Sequence, residues 1–280
     1  MKPLLLFTSL LLLSSAALAQ AEPFAPGLLP YGAFGLSVSP DGREAFFVHS
    51  NGGRDTMQLY HMVKRGRRWT RPRPWAHADG AQRQIDPAFS PDGQHLLLNI
   101  NGPGTRSFDI FISHRRDTGW SRPEPIAALN SDSSDFYATM ARSGNIYFTR
   151  RLHNSNDIWM SRFENGAYTA PVPLDSSLNS SGNETNPFID PDERYLLLLC
   201  DRPGGAGSGD LHIARRRGNG WAPAENLGPA VNTPVSEFCP SVHPGSRRFY
   251  FSRTQVLPGG RRIESIYSIP LRKLPALRRS

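Results

Sequence analysis

The chain has 280 residues, 38% of them hydrophobic, 10% aromatic and 20% charged. That composition excludes a disordered polymer and is enough for one large all-β domain. The formal net charge of +8 comes almost wholly from arginine, 29 against 3 lysines. An arginine-rich exported surface can meet an anionic lipid or polysaccharide. The clusters Arg65-Gly66-Arg67-Arg68 and Arg215-Arg216-Arg217 read more simply as solvated loops and strand edges, so no nucleic-acid partner is expected.

The N-terminus reads as a secretory signal peptide, residues 1–19. Lys2 supplies the positive start, Leu4 to Leu13 the apolar segment, and Ala17-Leu18-Ala19 the small residues before the cut. The apolar run is too short to span a bilayer comfortably. No cysteine lies near the cut, which argues against a lipid anchor. The expectation is a periplasmic or secreted, monomeric protein with no transmembrane segment after cleavage.

From residue 20 the sequence repeats. Ser39-Pro40-Asp41-Gly42 returns as Ser90-Pro91-Asp92-Gly93. Looser forms are Ala141-Arg142-Ser143-Gly144, Asp190-Pro191-Asp192-Glu193 and His243-Pro244-Gly245-Ser246. The second residues of these turns stand 51, 51, 49 and 53 positions apart. Proline fixes φ and glycine accepts positive φ, so each marks a tight turn. An apolar strand follows every turn, for example Ala45-Phe46-Phe47-Val48 and Tyr195-Leu196-Leu197-Leu198. A second strand follows, opened in three units by Asp109, Asp157 or Asp210. Then comes an aromatic residue after a glycine: Trp69, Trp120, Tyr168 and Trp221. No segment has a convincing helical period.

Four short strands per unit of about 50 residues describe a propeller blade. The predicted fold is therefore all-β: a five-bladed β-propeller of four-stranded antiparallel blades over residues 20–271. The last unit lacks its outer strand, and Pro23-Phe24-Ala25-Pro26-Gly27-Leu28 resembles the outer strand of unit four. The N-terminal strand is thus expected to close the ring and protect its edge. Residues 272–280 are expected to form a basic, exposed C-terminal tail.

The Ser-Pro-Asp-Gly turns followed by aromatic-aliphatic strands resemble the PD40 (WD40-like) repeat of TolB-like propellers, over about residues 22 to 270. The resemblance implies a periplasmic or cell-surface binding module. It identifies function poorly, because one fold serves many functions.

The sharpest further pattern precedes three innermost strands. Asn130-Ser131, Asn179-Ser180 and Asn232-Thr233 each stand shortly before an acid: Asp135, Glu184 and Glu237. Each acid lies seven residues before its turn marker. Ala33 and Gln84 hold the equivalent places in the first two units. At one mouth of a central channel these residues could bind a ligand or a divalent cation. They could also perform glycosidic acid–base chemistry. Equal repetition favours a structural part, since catalysis needs unlike environments.

The aromatics could stack on sugars but repeat as packing residues would. The eight histidines share no metal-ligand spacing, so no zinc site is expected. No nucleotide-binding glycine loop and no nucleophile elbow are present. The first functional reading is a non-enzymatic module binding a protein or glycan of the cell envelope. The alternative is a five-bladed glycoside hydrolase or lyase using Asp135, Glu184 and Glu237. Cys200 and Cys239 are candidates for a disulfide, provided one register step does not turn either side chain away.

Overall fold

The computed structural model describes residues 21–50, 56–77, 82–102, 105, 107–153 and 155–278. Residues 1–20, on which the expected signal peptide falls, and the final two residues lie outside them. Within them the chain folds as a five-bladed propeller. The innermost strands are Ala33–Val38, Arg83–Phe89, Asp135–Met140, Glu184–Ile189 and Glu237–His243. Each pairs antiparallel with a second strand, and that with a third. The second strands are Glu44–His49, His95–Asn101, Ile146–Leu152, Tyr195–Cys200 and Arg248–Val256. The third strands are Gln58–Arg65, Asp109–Arg116, Ser155–Ser161, Asp210–Arg217 and Arg262–Pro270.

The outermost strands of the first four blades are reduced to short pieces. In blade two, Gly119–Trp120 and Glu124–Pro125 both pair with the third strand. Proline at these places is compatible with an edge, where its missing N–H breaks no ladder. In blade five the outer place is taken by the N-terminus. Glu22 pairs with Ser268 and Pro23 with Tyr267, and the Phe24 amide donates to the Ile266 carbonyl. The ring closes as the sequence indicates, with the paired residues starting slightly upstream of Phe24.

The core lies between the blades. Second strands alternate in period two, and each side chain row faces a different neighbour. In blade four Leu196, Leu198 and Cys200 pack toward blade three, whereas Leu197 packs with Phe249 and Phe251 of blade five. In blade one Phe46 and Val48 meet Leu96 and Leu98 of blade two, whereas Ala45 and Phe47 share a cluster with Tyr250 and Ile266 of blade five.

This alternation overturns the disulfide. Cys200 and Cys239 are both free and buried. Cys200 faces blade three, away from blade five. Cys239 joins the cluster of Phe34, Tyr137 and Val48 near the axis. The strand parity points the two thiols into different compartments.

The C-terminal segment is also not the exposed tail expected. Leu271–Lys273 forms a 3-10 turn and Pro275–Arg278 a single helical turn. Leu274 and Leu277 lie on one face at i,i+3 spacing and are buried with Ile269 and Phe249. Arg215 donates to the Ala276 carbonyl at 2.7 Å. No helix among the described residues is long and apolar enough to cross a membrane.

Candidate functional site

The turn motif has a direct mechanical basis. Ser90 Oγ donates to Asp92 Oδ1 at 2.5 Å and accepts the His95 amide at 2.9 Å. Asp92 Oδ1 accepts the Gln94 amide as well. Ser39 and Asp41 repeat the same three bonds. Gly42 and Gly93 carry the positive φ, 70° and 71°. These turns form one face of the ring.

Every innermost strand is broken by a β-bulge. The left-handed residue is Gly35, Asp86, Tyr137, Asn186 or Cys239, with φ between 51° and 63°. Each stands five residues before its turn marker. The ladder register shifts at this point in all five blades. A bulge frees an amide, and in three blades a polar residue of the preceding blade accepts it. Gly35 donates to Ser252 Oγ, Tyr137 to Asn99 Oδ1 and Asn186 to Thr149 Oγ1. Two residues further on, Ser37, Thr139 and Ser241 tie adjacent inner strands. Phe89 N donates to Ser37 Oγ, Thr139 Oγ1 to the Pro187 carbonyl, and Ser241 Oγ to the Leu36 carbonyl.

The bulges bound a central cavity of about 280 Å³ lined by all five blades. Its inner end is the bulge layer, with Gly35, Asp86 and Tyr137. Its outer end is the turn layer, with Pro40, Pro91 and Pro244. Behind the bulge layer Phe34 and Phe238 pack at 5.8 Å between ring centres. Tyr137 donates from its hydroxyl to the Pro240 carbonyl at 3.1 Å. Burial, then the neighbouring Cys239 and Asp86, push its phenol well above the usual range. Among the described residues Asp86 is the only carboxylate lining this cavity.

Asp135, Glu184 and Glu237 do not line it. All three are fully buried and built into equal clamps. Asp135 Oδ2 accepts from the Ser131 amide and hydroxyl, both at 2.7 Å, and Oδ1 accepts from Arg150 Nε at 2.6 Å. Glu184 accepts from Ser180 N, Ser180 Oγ and Arg202 Nε. Glu237 accepts from Thr233 N, Thr233 Oγ1 and Arg253 Nε. Each arginine then reaches a carbonyl of the incoming loop: Leu129, Leu178 or Val231. The preceding asparagines use their amides on the third strand of the previous blade. Asn130, Asn179 and Asn232 each bond both the amide and the carbonyl of Ile110, Ile158 or Leu211. The motif therefore stitches blade to blade. Burial raises the Glu237 carboxyl above its usual value despite these donors.

Gln84, in the same strand position, is buried and donates to the His77 carbonyl. It pairs across the ladder with Ile100, and Ala33 pairs with His49. The acid and its arginine are thus both absent from blades one and two. Asp210 accepts the Ala206 and Gly207 amides within its own blade. The aromatics pack between blades. Trp120 lies under Arg115 at 4.2 Å and 6.1 Å from Phe46, and Trp221 lies under Arg216 at 4.1 Å.

The bulge site escaped the sequence reading. Its signal was the fixed five-residue offset from each turn, filled by Gly, Asp or Asn in three of five units, the residues that tolerate left-handed backbone best.

No protein-family model matches the sequence, and no curated protein matches it. The fold defines a five-bladed β-propeller, and many solved structures share it. One is a protein assigned as TolB from Agrobacterium tumefaciens, with a TM-score of 0.57 at 15% identity, covering 86% of this chain and 92% of that one. A thermostable family-43 glycoside hydrolase gives 0.57 at 11% identity, over 88% and 92% of the two chains. An α-L-arabinofuranosidase from Lactobacillus brevis gives 0.54 at 11%, over 87% and 92%. At such identities the likeness is one of fold.

Proposed function

We propose that this chain is an exported PD40-type propeller that acts as a non-enzymatic, monomeric binding module of the cell envelope. Its ligand, a protein or glycan group, enters the central cavity from the turn face. The observation that carries this reading is that, among the described residues lining that cavity, Asp86 is the single carboxylate. Glycoside hydrolysis ordinarily needs two carboxylates about 5–10 Å apart around the scissile bond. The sequence's three repeated acids are spent on loop amides and arginines instead. Export rests on the signal segment. A divalent cation is not needed for this reading.

The test uses Ala88→Phe. Ala88 lines the cavity two residues after its bulge, where blade four carries Phe188. The substitution therefore fills the cavity with a side chain the fold already accepts elsewhere. Pull-down from envelope extract and a glycan array should show a partner that the wild type retains and Ala88→Phe loses. Turnover of aryl glycosides by the wild type, abolished in Asp86→Asn, would instead establish the hydrolase reading that the shared fold keeps open.

A further inference from the structure

We infer that the groove between blades two and three takes a tyrosine ring of a partner protein, whose phenol hydroxyl donates to His95 Nε2. Only the choice of a protein as the source of that ring rests on the binding reading above.

The chemistry starts from a chain of three side chains. Glu124 Oε1 lies 3.0 Å from His114 Nε2, and His114 Nδ1 lies 3.1 Å from His95 Nδ1. A carboxylate only accepts, so His114 Nε2 carries a proton. A neutral imidazole has one N–H, so His114 Nδ1 is bare and accepts. The proton between the two rings therefore sits on His95 Nδ1, and His95 Nε2 is left bare. Burial, opposed by Asp92 and supported by His114, holds the His95 imidazole below its usual value, so the ring is neutral at pH 7. The carboxylate thus sets, through two rings, an acceptor nitrogen on a half-buried residue.

His95 lines a groove of about 700 Å³ whose walls include Ile112, Ile126, Met140, Phe163 and Tyr168. Phe163 is 43% exposed, and its ring leans on Tyr168 with centres 5.0 Å apart. Gly144 leaves Phe163 its place, since a Cβ there would stand 3.0 Å from it. Ser90, Arg142 and Ser143 also line the groove, but they bond Asp92, Asp192 and Glu193. A partly aromatic wall beside a bare acceptor matches a ring that carries one hydroxyl. A sugar would press several hydroxyls against that wall without partners, which is unfavourable. An ammonium would give up its water for a neutral acceptor. A carboxylate has no proton to donate.

The source of the ring follows from position. Ser90, Pro91, Met140 and Arg142 line both this groove and the central cavity, so the two adjoin. A polypeptide seated in the cavity brings a neighbouring side chain to the groove, and the volume leaves room for backbone beside one ring.

NMR titration of the mature chain tests this with N-acetyl-tyrosinamide, N-acetyl-phenylalaninamide and p-cresol. The tyrosine derivative should bind saturably, and the phenylalanine derivative about three- to tenfold more weakly, the worth of one hydrogen bond. The nitrogen resonances of His95 should show Nδ1 protonated and Nε2 bare. Glu124 is 66% exposed, so Glu124→Lys should melt as the wild type does. Lysine only donates, which reverses the chain of bonds and protonates His95 Nε2. The tyrosine derivative should then bind about three- to tenfold more weakly, with the phenylalanine derivative unchanged. A merely structural Glu124 would leave the His95 resonances in place. His95→Phe keeps a ring against His114 and should bind the two derivatives equally. Equal affinity for both derivatives in the wild type would overturn the inference, as would a protonated His95 Nε2 there or full discrimination in either folded variant. Tighter binding of p-cresol than of the tyrosine derivative would assign the groove to free phenols and overturn the protein source. Absence of tyrosine binding, while Ala88→Phe still loses the envelope partner, would overturn this inference and leave the central-cavity reading standing.

Discussion

Arg150 donates to Asp135 over 2.6 Å at a place where the carboxylate is fully buried, and the same guanidinium holds the Leu129 carbonyl at 2.7 Å. The pair fixes the loop that enters blade three to the blade's own second strand. Glu184 with Arg202 and Glu237 with Arg253 do the same for the next two blades.

Asp135→Asn should therefore destabilise the protein by about 3 kcal/mol or more, since it leaves a buried guanidinium without its counter-charge. Glu184→Gln should cost less, because Arg202 is 25% exposed and its contact is 3.2 Å. Urea unfolding of both variants measures the ranking. Binding at the central cavity should be unchanged in each, because neither residue lines it. A variant that keeps full stability and loses binding would contradict the clamp.

Glu44 predicts an acid-labile component of stability. Burial opposes its charge, but hydrogen bonds from His61, Trp120 and Arg115 outweigh this and hold the carboxyl at about 2. The folded value is below the unfolded one, so the stabilisation is complete above about 4.5 and is lost as pH falls toward 2. Its size is of the order of 3 kcal/mol. Chemical denaturation across pH 7 to 2.5 should show this loss, and Glu44→Gln should remove that part of the slope. Trp120 and Arg115 belong to blade two, so the variant should also loosen the blade one–two contact.

The two cysteines should report as buried thiols. Burial pushes the Cys200 thiol up to about 12, which keeps it protonated at pH 8. A chromogenic disulfide reagent should therefore find almost no reactive thiol in the native protein at that pH. After unfolding without reductant it should titrate both. Finding none would restore a bridge and require the strand parity of blade four or five to be reversed.

The sequence by itself determined the number of blades, because the turn residues act locally. Serine, aspartate and glycine at Ser90, Asp92 and Gly93 close their own hydrogen bonds within a few residues, so their spacing reads directly as blade length. It also indicated ring closure, through the outer strand missing after Ile269 and present near Pro23. The repetition of Asp135, Glu184 and Glu237 marked a structural motif, although their arginine partners, 15 to 18 residues away in the next strand or, for Arg202, just past its end, were not legible as such. Tertiary structure alone decided the rest. The parity of Cys200 and the φ of Cys239 set where each thiol points, and both depend on strand register against neighbouring blades. The burial of Leu274 and Leu277 depends on an apolar surface created only when blades four and five meet. The cavity exists because five bulges, 49 to 53 residues apart in the chain, converge on one axis, which places Asp86 beside Tyr137 and Cys239. Such proximity is a property of closure, and local sequence carries no trace of which bulge residue faces which across the ring.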